Sequence, residues 1–176
     1  MIVVSDTSPL RYLILIEAES VLFKLFGEVV IPPAVFNELQ QPRTPQIVRD
    51  WVAMRPAWLH VRTSAKVDPS LDVDLGEAEA ITLASELRAD ALLIDDKKGR
   101  SAASSRGITT IGTLTVLEIA AQQGLVDLRA AFGRLRATNF RVSERMIHDA
   151  LDRDSRHRQG NPSETGPNNP SANPDG

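Results

Sequence analysis

Short runs of β-type residues alternate with helical patterns from the first residues to Gly112. Four of these runs, at residues 2–4, 29–31, 91–94 and 109–111, are continuous and do not alternate with polar residues. Strands buried on both faces have this composition, which is typical of a parallel sheet. The pattern predicts four parallel strands.

Apolar residues recur three or four positions apart in the segments 9–18, 33–41, 44–54, 76–88 and 97–106. This spacing predicts helices that cover the sheet. After Gly112 the pattern is helical only, at residues 114–123, 128–137 and 143–153. The predicted fold class is α/β, with a parallel sheet flanked by helices and a helical C-terminal portion.

The end of the chain has a different character. Residues 155–176 contain four prolines, three glycines and no aliphatic residue larger than alanine. Such a segment cannot bury enough apolar surface to offset the conformational entropy that ordering removes. We predict one folded domain over residues 1–153 and a disordered polar tail over residues 154–176.

The amino-acid composition limits the kinds of functional site that the chain could contain. The chain has 176 residues, 42% of them hydrophobic, which suits one globular domain with its own core. It contains no cysteine, which excludes disulfides, thiolate zinc sites and cysteine nucleophiles and favours a cytoplasmic location. No apolar run approaches the roughly 20 residues that span a bilayer, and no signal-peptide pattern is seen. The net charge of −3 argues against electrostatic coating of nucleic acid but is compatible with an enzyme that acts on it.

Acidic residues directly follow two of the predicted strands. Asp6 comes after the first strand, and Asp95 and Asp96 come after the third. Ligands of open α/β sheets bind at the carboxyl ends of the strands. Asp6 can also simply favour a helix N-terminus, where Ser8 is the predicted N-cap and Pro9 the first helical position. Two adjacent carboxylates repel each other, so Asp95 and Asp96 point more strongly to a bound cation.

Two predicted helices carry further candidate acids. Glu38 lies about one and a half turns into its helix, where an acid is usually solvated. Glu77 shares a helix face with small and aliphatic residues, so its carboxylate is predicted to face inward. An inward carboxylate needs a basic partner or a metal ion. Glu79 lies on a side of the same helix that is more typical of the surface.

Charge is distributed unevenly along the chain. Residues 68–96 contain nine acids and one basic residue, and Lys97, Lys98 and Arg100 follow at once. An acidic centre bordered by basic residues suits an anionic substrate held over metal ions. Alternatively, these residues are ordinary surface charges, and Lys97, Lys98 and Arg100 are the solvated start of a helix.

Several common catalytic motifs are absent from the sequence. It has no P-loop, no dinucleotide-binding glycine motif and no GxSxG nucleophile elbow. The three histidines, His60, His148 and His157, are dispersed along the chain, which does not favour a histidine metal site or a histidine general base.

Five segments of the chain resemble those of PIN-domain proteins. They read VVSDTSPL, FGEVVIPPAVFNEL, DLGEAEAITLA, LLIDDKKGR and GITTIGTLTVL. More narrowly, the chain resembles VapC-type toxins and a related group of bacterial and archaeal PIN proteins of poorly defined function. The resemblance extends from about residue 3 to residue 151.

The resemblance implies an acidic cluster that holds Mg²⁺ or Mn²⁺ and hydrolyses RNA phosphodiester bonds. The positions that match the four catalytic acids of the family are Asp6, Glu38, Glu77 and Asp96. These four and Asp95, which is close enough to assist, are the metal ligands that the resemblance implies. Many relatives have aspartate where this chain has Glu77, which leaves Glu79 as an alternative third acid. Ser8 stands where relatives often have a small polar residue near the metal.

The resemblance also implies partners. A VapC-type toxin pairs with an antitoxin protein that blocks its site, and such proteins commonly form homodimers through helices. Leu10, Leu13 and Ile14 could form that dimer face or belong to the core. Two other functions are compatible with the same scaffold: a non-catalytic interaction module, and a nuclease directed at DNA or flaps.

Overall fold

A five-stranded parallel sheet forms the centre of the molecule in the computed structural model, which describes residues 1–160. The strand order is β3-β2-β1-β4-β5. The strands are β1 (Val3–Ser5), β2 (Val29–Ile31), β3 (Leu59–Val61), β4 (Ala91–Leu93) and β5 (Thr110–Ile111). The four predicted strands are confirmed as parallel, and β3 is an additional strand at one edge.

Nine helices within residues 1–160 surround the sheet and confirm the α/β class with a helical C-terminal portion. They are α1 (Thr7–Leu15), α2 (Ser20–Phe26), α3 (Pro33–Leu39), α4 (Gln46–Met54), α5 (Leu75–Glu86), α6 (Lys97–Ser104), α7 (Thr113–Gln122), α8 (Leu128–Arg136) and α9 (Glu144–Gly160).

Both faces of the sheet are buried, as the continuous apolar runs predict. Val3 and Leu93 belong to a large core shared with α1, α2, α4, α7, α8 and α9. Val4 and Leu92 belong to a second core beneath α5 and α6 on the other face. Successive residues of a strand point to opposite faces, so each strand supplies apolar side chains to both cores. This burial holds the strand ends in fixed positions.

The start of α1 differs from the prediction. The helix begins at Thr7, and Asp6, not Ser8, occupies the N-cap position. Pro9 lies within the first turn and not at its first residue. Amide groups of the first turn have no acceptor within the helix, so proline is tolerated there. The earlier start places Asp6 directly between β1 and α1.

Two elements carried too little sequence signal to be predicted. Strand β3 has three residues, of which only Leu59 is buried. Helix α2 has seven residues, of which Val21 and Leu22 are buried. The exposed His60 stands at the centre of β3, so this strand lacks the continuous apolar run that identified the other four.

The last helix extends further than predicted. α9 continues to Gly160, beyond the predicted end of the folded domain at residue 153. Its exposed surface is supported by ion pairs one turn apart, including Arg145 with Asp149 and Arg158 with Asp154. Such pairs stabilise a helix without an apolar stripe. The rest of the predicted tail, residues 161–176, lies outside the described residues.

The candidate dimer face on α1 is part of the core. Leu10 and Leu13 have no exposed surface, and Ile14 is 2% exposed. These side chains are therefore unavailable to a second copy of the folded chain. Within residues 1–160 no helix has both the length and the apolar character that crossing a bilayer requires.

We expect Leu13→Ala to lower the free energy of unfolding by about 2–5 kcal/mol, because removing a fully buried side chain leaves a cavity. Urea unfolding measures this loss. Met54→Ala is the control, since Met54 is 86% exposed and its truncation should change stability by less than about 0.5 kcal/mol. A change in oligomeric state on gel filtration at unaltered stability would contradict the core assignment.

Candidate functional site

The site lies where the order of the sheet reverses. From β1 the chain continues to β2 and then β3, which lie on one side of β1. It then crosses over to β4 and β5, which lie on the other side of β1. Such a switch point opens a crevice at the carboxyl ends of the strands. Asp6 follows β1 at this point, and Asp95 and Asp96 follow β4. The Asp6 amide donates a hydrogen bond to the carbonyl oxygen of Leu93 at 2.9 Å, which fixes the two strand ends together.

A cleft of about 830 Å³ opens at this crevice. Two helices, α3 and α5, bring additional acids to it. We use the name acidic cluster for six of the carboxylates that line the cleft: Asp6, Glu38, Asp74, Glu77, Asp95 and Asp96. Glu118 of α7 and Asp149 of α9 also line the cleft. The structure therefore brings all five predicted site acids into one cleft, together with Ser8.

Asp74 is the member of the acidic cluster that the sequence analysis missed. It is the N-cap of α5, and its Oδ1 accepts a hydrogen bond from the Glu77 amide at 2.8 Å. The spacing of Asp74 and Glu77 is that of a capping motif, an N-cap residue followed three positions later by glutamate. That spacing was the available signal, and it would have placed Asp74 beside Glu77.

Asp6 is the most deeply buried carboxylate of the cluster, with 5% of its surface exposed. Burial is the main reason that the pKa of Asp6 rises to about 8. A hydrogen bond with the Thr7 backbone opposes this rise in the pKa, and the negative charges of Glu77, Asp74 and Glu38 add to it. Within residues 1–160 Asp6 forms no ion pair that would hold its charge.

Glu77 lies in similar surroundings, and Glu79 does not. Glu77 is 8% exposed, and burial, together with the charges of Asp74 and Asp96, raises its pKa to about 7. Glu79 points away from the cleft, where its Oε2 accepts a hydrogen bond from the Ala34 amide at 2.9 Å, near the start of α3. Glu77 lines the cleft, and Glu79 joins two helices.

Three other members of the acidic cluster have hydrogen-bond donors of their own. Glu38 accepts a hydrogen bond from the Thr7 hydroxyl. Asp95 accepts from the amide and the hydroxyl of Thr113, each at 2.7 Å. These bonds partly oppose the effect of burial, which raises the pKa of Asp95.

The Asp96 side chain caps α6, where its Oδ1 accepts hydrogen bonds from the amides of Lys98 and Gly99 at 2.8 and 2.9 Å. Asp95 and Asp96 are thus bonded to different helices, Asp95 to the start of α7 and Asp96 to the start of α6. These hydrogen bonds account for the positions of Asp95 and Asp96. A bound cation is therefore not needed to explain how two adjacent carboxylates are tolerated.

Glycines make room for two of the carboxylates. A Cβ atom at position 76 would lie 2.6 Å from Oε1 of Glu38, a distance that real Cβ atoms do not adopt. A Cβ atom at position 112 would lie 3.2 Å from Oδ1 of Asp95. Gly76 and Gly112 therefore let helix backbone approach the acidic cluster closely.

Basic residues border the cluster, as the charge pattern predicts. Lys97 and Arg100 line the cleft. Lys98 does not, and its Nζ forms an ion pair with Asp72 at 2.7 Å. The C-terminal portion supplies Arg141 and Arg153 to the same cleft.

The donor set suits a hard divalent cation. Among residues 1–160 no group of three or more acidic or histidine side chains is already close enough together to bind a metal ion. Mg²⁺, however, keeps several of its water ligands and is commonly bound through only one or two carboxylates. Asp6 and Glu77 are buried oxygen donors without a basic partner. A cation beside them would stabilise their charged forms, which burial and, to a smaller extent, the neighbouring acids disfavour. Which carboxylates bind a metal stays a prediction.

We expect Asp6→Asn to stabilise the metal-free protein at high pH. The folded chain keeps a proton on Asp6 up to its pKa of about 8, whereas the unfolded chain releases this proton near pH 4. Because the folded state binds more protons between these values, the parent protein loses stability as the pH rises from about 4 to about 8. Asparagine does not ionise, so at pH 8 in EDTA we expect the Tm of the Asp6→Asn protein to be roughly 3–8 °C higher than that of the parent.

Thermal unfolding monitored by circular dichroism at several pH values tests this expectation. Asp50→Asn is the matched control, because Asp50 is an exposed residue of α4 outside the cleft. If the Tm of the parent and that of Asp6→Asn changed in the same way with pH, ionisation of Asp6 would not destabilise the folded chain, which would contradict this expectation.

Comparison with known proteins agrees with this architecture. A family model described as a PIN domain, DUF3368, matches residues 2–156. Among solved structures, the chain is similar to the PilT N-terminus domain protein SSO1118 from the hyperthermophilic archaeon Sulfolobus solfataricus P2. The TM-score is 0.52 at 22% sequence identity, over 68% of this chain and 93% of that protein. No curated protein matched. The family match covers nearly all of the described residues, and the chain belongs to the PIN-domain family.

Proposed function

We propose that the protein is a metal-dependent endoribonuclease that hydrolyses RNA phosphodiester bonds in the cleft. Its PIN domain is a nuclease-type fold, and PIN domains are generally nucleases that use divalent metal ions. The observation that carries the proposal is the burial of two carboxylates, Asp6 and Glu77, side by side in a cleft without a basic partner. Burial of uncompensated acids is costly unless they serve a ligand.

In this proposal Asp6 and Glu77 are the main ligands of Mg²⁺ or Mn²⁺, with Glu38, Asp95 and Asp96 around them. An ion held there would supply the activation of water for attack on the phosphorus of the scissile bond. Thr7 orients Glu38, and Thr113 orients Asp95, through the hydrogen bonds described above. The carboxylates are thereby held in place before the substrate arrives, so less reorganisation is needed.

The basic residues at the cleft give the substrate its second set of contacts. Lys97 and Arg100 lie immediately after the acidic cluster in the chain and line the same cleft. Cations in this position bind phosphate oxygens and orient a nucleic-acid backbone without reading its sequence. They also offset the repulsion between a phosphodiester and the six carboxylates. RNA is proposed as the substrate because of the resemblance to VapC-type toxins.

We expect purified protein to cleave a mixed single-stranded RNA in Mg²⁺ or Mn²⁺ and not in EDTA. Asp6→Asn and Glu77→Gln should each reduce the rate by at least about 100-fold, because each removes a charged metal ligand. Gel electrophoresis of labelled RNA measures the rate.

Glu79→Gln provides the matched control, since Glu79 is on the same helix as Glu77 but does not line the cleft. Its rate should stay within a few-fold of the parent. Equal cleavage by the parent and by folded Asp6→Asn would mean that the acidic cluster is not the active site. Cleavage of DNA in preference to RNA would favour the DNA-directed nuclease, and metal binding without cleavage would favour the interaction module.

The biological role belongs to the same proposal. The protein would be the toxin of a toxin-antitoxin pair, in which a small protein partner blocks the cleft. A homodimer is part of this proposal, with a contact surface other than Leu10, Leu13 and Ile14, which are buried in the core. Both statements rest on the resemblance to VapC-type proteins.

We expect expression of the parent chain alone to arrest bacterial growth, because unblocked ribonuclease activity depletes functional RNA. Expression of Asp6→Asn to the same level should not arrest growth. Colony counts after induction measure the effect, with immunoblotting to match protein levels. Normal growth with abundant active parent protein would exclude the toxin role and leave the ribonuclease activity in place.

A further inference from the structure

Asp74 is the one member of the acidic cluster to which neither the family resemblance nor the proposed function assigns a role. It is not among the four positions that match the catalytic acids of the family, yet it lines the cleft with them. Unlike the buried Asp6 and Glu77, Asp74 is exposed, so its carboxylate is open to water and to small ions that enter the cleft. Its contacts with α5 indicate what it does there.

Asp74 and Glu77 are joined by two hydrogen bonds that run in opposite directions. Oδ1 of Asp74 accepts a hydrogen bond from the Glu77 amide at 2.8 Å. Burial raises the pKa of the Glu77 carboxylate, and a hydrogen bond from the Asp74 backbone to this carboxylate opposes the rise. Such a reciprocal pair is a capping box, in which the N-cap residue and the third residue of the helix hold each other. Asp74 therefore fixes both the amide and the carboxylate of Glu77.

The first turn of α5 packs directly against another acid of the cluster. A Cβ atom at position 76, between Asp74 and Glu77, would lie 2.6 Å from Oε1 of Glu38. Any larger residue at this position would force the turn away from Glu38. Gly76 therefore keeps the capping box at the cleft.

A capping role uses only one of the two carboxylate oxygens of Asp74. The other oxygen, Oδ2, accepts no hydrogen bond from residues 1–160. The negative charge of Asp74 also acts on the two buried acids. Burial is the main reason that the pKa values of Asp6 and Glu77 rise, and for Glu77 the Asp74 charge is the next largest cause, ahead of that of Asp96. The charge of Asp74 thus reaches the acids that are proposed to bind the cation.

We propose that Asp74 is a positioning residue of the metal site: Oδ1 holds Glu77 in place, and Oδ2 accepts a hydrogen bond from the hydration shell of the divalent cation. The inference rests on the proposed function and adds a residue to its site. Mg²⁺ keeps several of its waters when it binds to a protein, and a carboxylate beside the direct ligands is an acceptor for such a water. A cap alone would not need the negative charge, since asparagine caps helices about as well as aspartate does.

Asp74→Asn separates the charge of Asp74 from its role as a cap. The asparagine oxygen can replace Oδ1, so in EDTA the variant should have a Tm no lower than that of the parent. The amide places an NH₂ group, which cannot accept a hydrogen bond, in the position of Oδ2. We therefore expect the Kd for Mn²⁺, measured by isothermal titration calorimetry, to increase roughly 10- to 100-fold. Asp74→Ala removes the cap as well and should lower the Tm by about 2–4 °C.

Two variants provide matched controls. Asp127 caps α8 with the same geometry, because its Oδ1 accepts a hydrogen bond from the Ala130 amide at 2.7 Å, and it does not line the cleft. Asp127→Asn therefore tests the change of a cap alone. Glu79→Gln removes one negative charge from α5 outside the cleft and tests the loss of charge alone. Both controls should bind Mn²⁺ like the parent.

RNA cleavage is measured on the same proteins, so that the two proposals can fail separately. If the parent binds Mn²⁺ and cleaves RNA while Asp74→Asn binds Mn²⁺ like the two controls, Asp74 is only a helix cap; this inference is refuted and the ribonuclease stands. If Asp74→Asn weakens Mn²⁺ binding as expected but the parent cleaves no RNA, the ribonuclease proposal fails and Asp74 remains part of a cation site. A parent that binds no Mn²⁺ refutes both.

Discussion

The six carboxylates of the acidic cluster repel one another in a cleft that is partly removed from water, and the structure around each of them follows from this repulsion. Where the fold supplies donors, as Thr113 does to Asp95 and the start of α6 does to Asp96, the negative charge has a partner. At Asp6 and Glu77 burial outweighs the backbone hydrogen bonds that each receives, and the pKa rises to about 8 and about 7. A divalent cation is the simplest group that satisfies both of these acids without protonating them.

The rigid core is what makes such an arrangement possible. Val3 and Val4, which lead to Asp6, are fully buried on opposite faces of the sheet, and so are Leu92 and Leu93, which lead to Asp95. The strand ends cannot move apart to relieve the repulsion without disturbing both cores. The burial of apolar side chains therefore opposes the repulsion between the carboxylates at the switch point. The carboxylates stay close together as a result.

The sequence predicted the acids best where a simple geometric rule applies. Parallel strands end at one edge of the sheet, which brought Asp6, Asp95 and Asp96 together, and helical spacing turned Glu77 inward. Glu38 was identified only through family resemblance, because its contact with Thr7 joins residues 31 positions apart. The pairing of Tyr12 with Phe140 joins residues still further apart in sequence, and no local pattern encodes it. α9 was predicted too short because its outer part depends on ion pairs and has no apolar stripe.

The position of these groups along the chain has a consequence for biosynthesis. All six carboxylates of the acidic cluster lie within the first 96 residues, whereas Phe140 and Arg141 come just before the last helix. A ribosome therefore makes these six acids well before Phe140 and Arg141, which line the same cleft. Until those residues have emerged and packed against α1, the nascent chain carries an acidic cleft that lacks its aromatic pair. The order of synthesis thus delays a complete cleft until translation of the domain is almost finished.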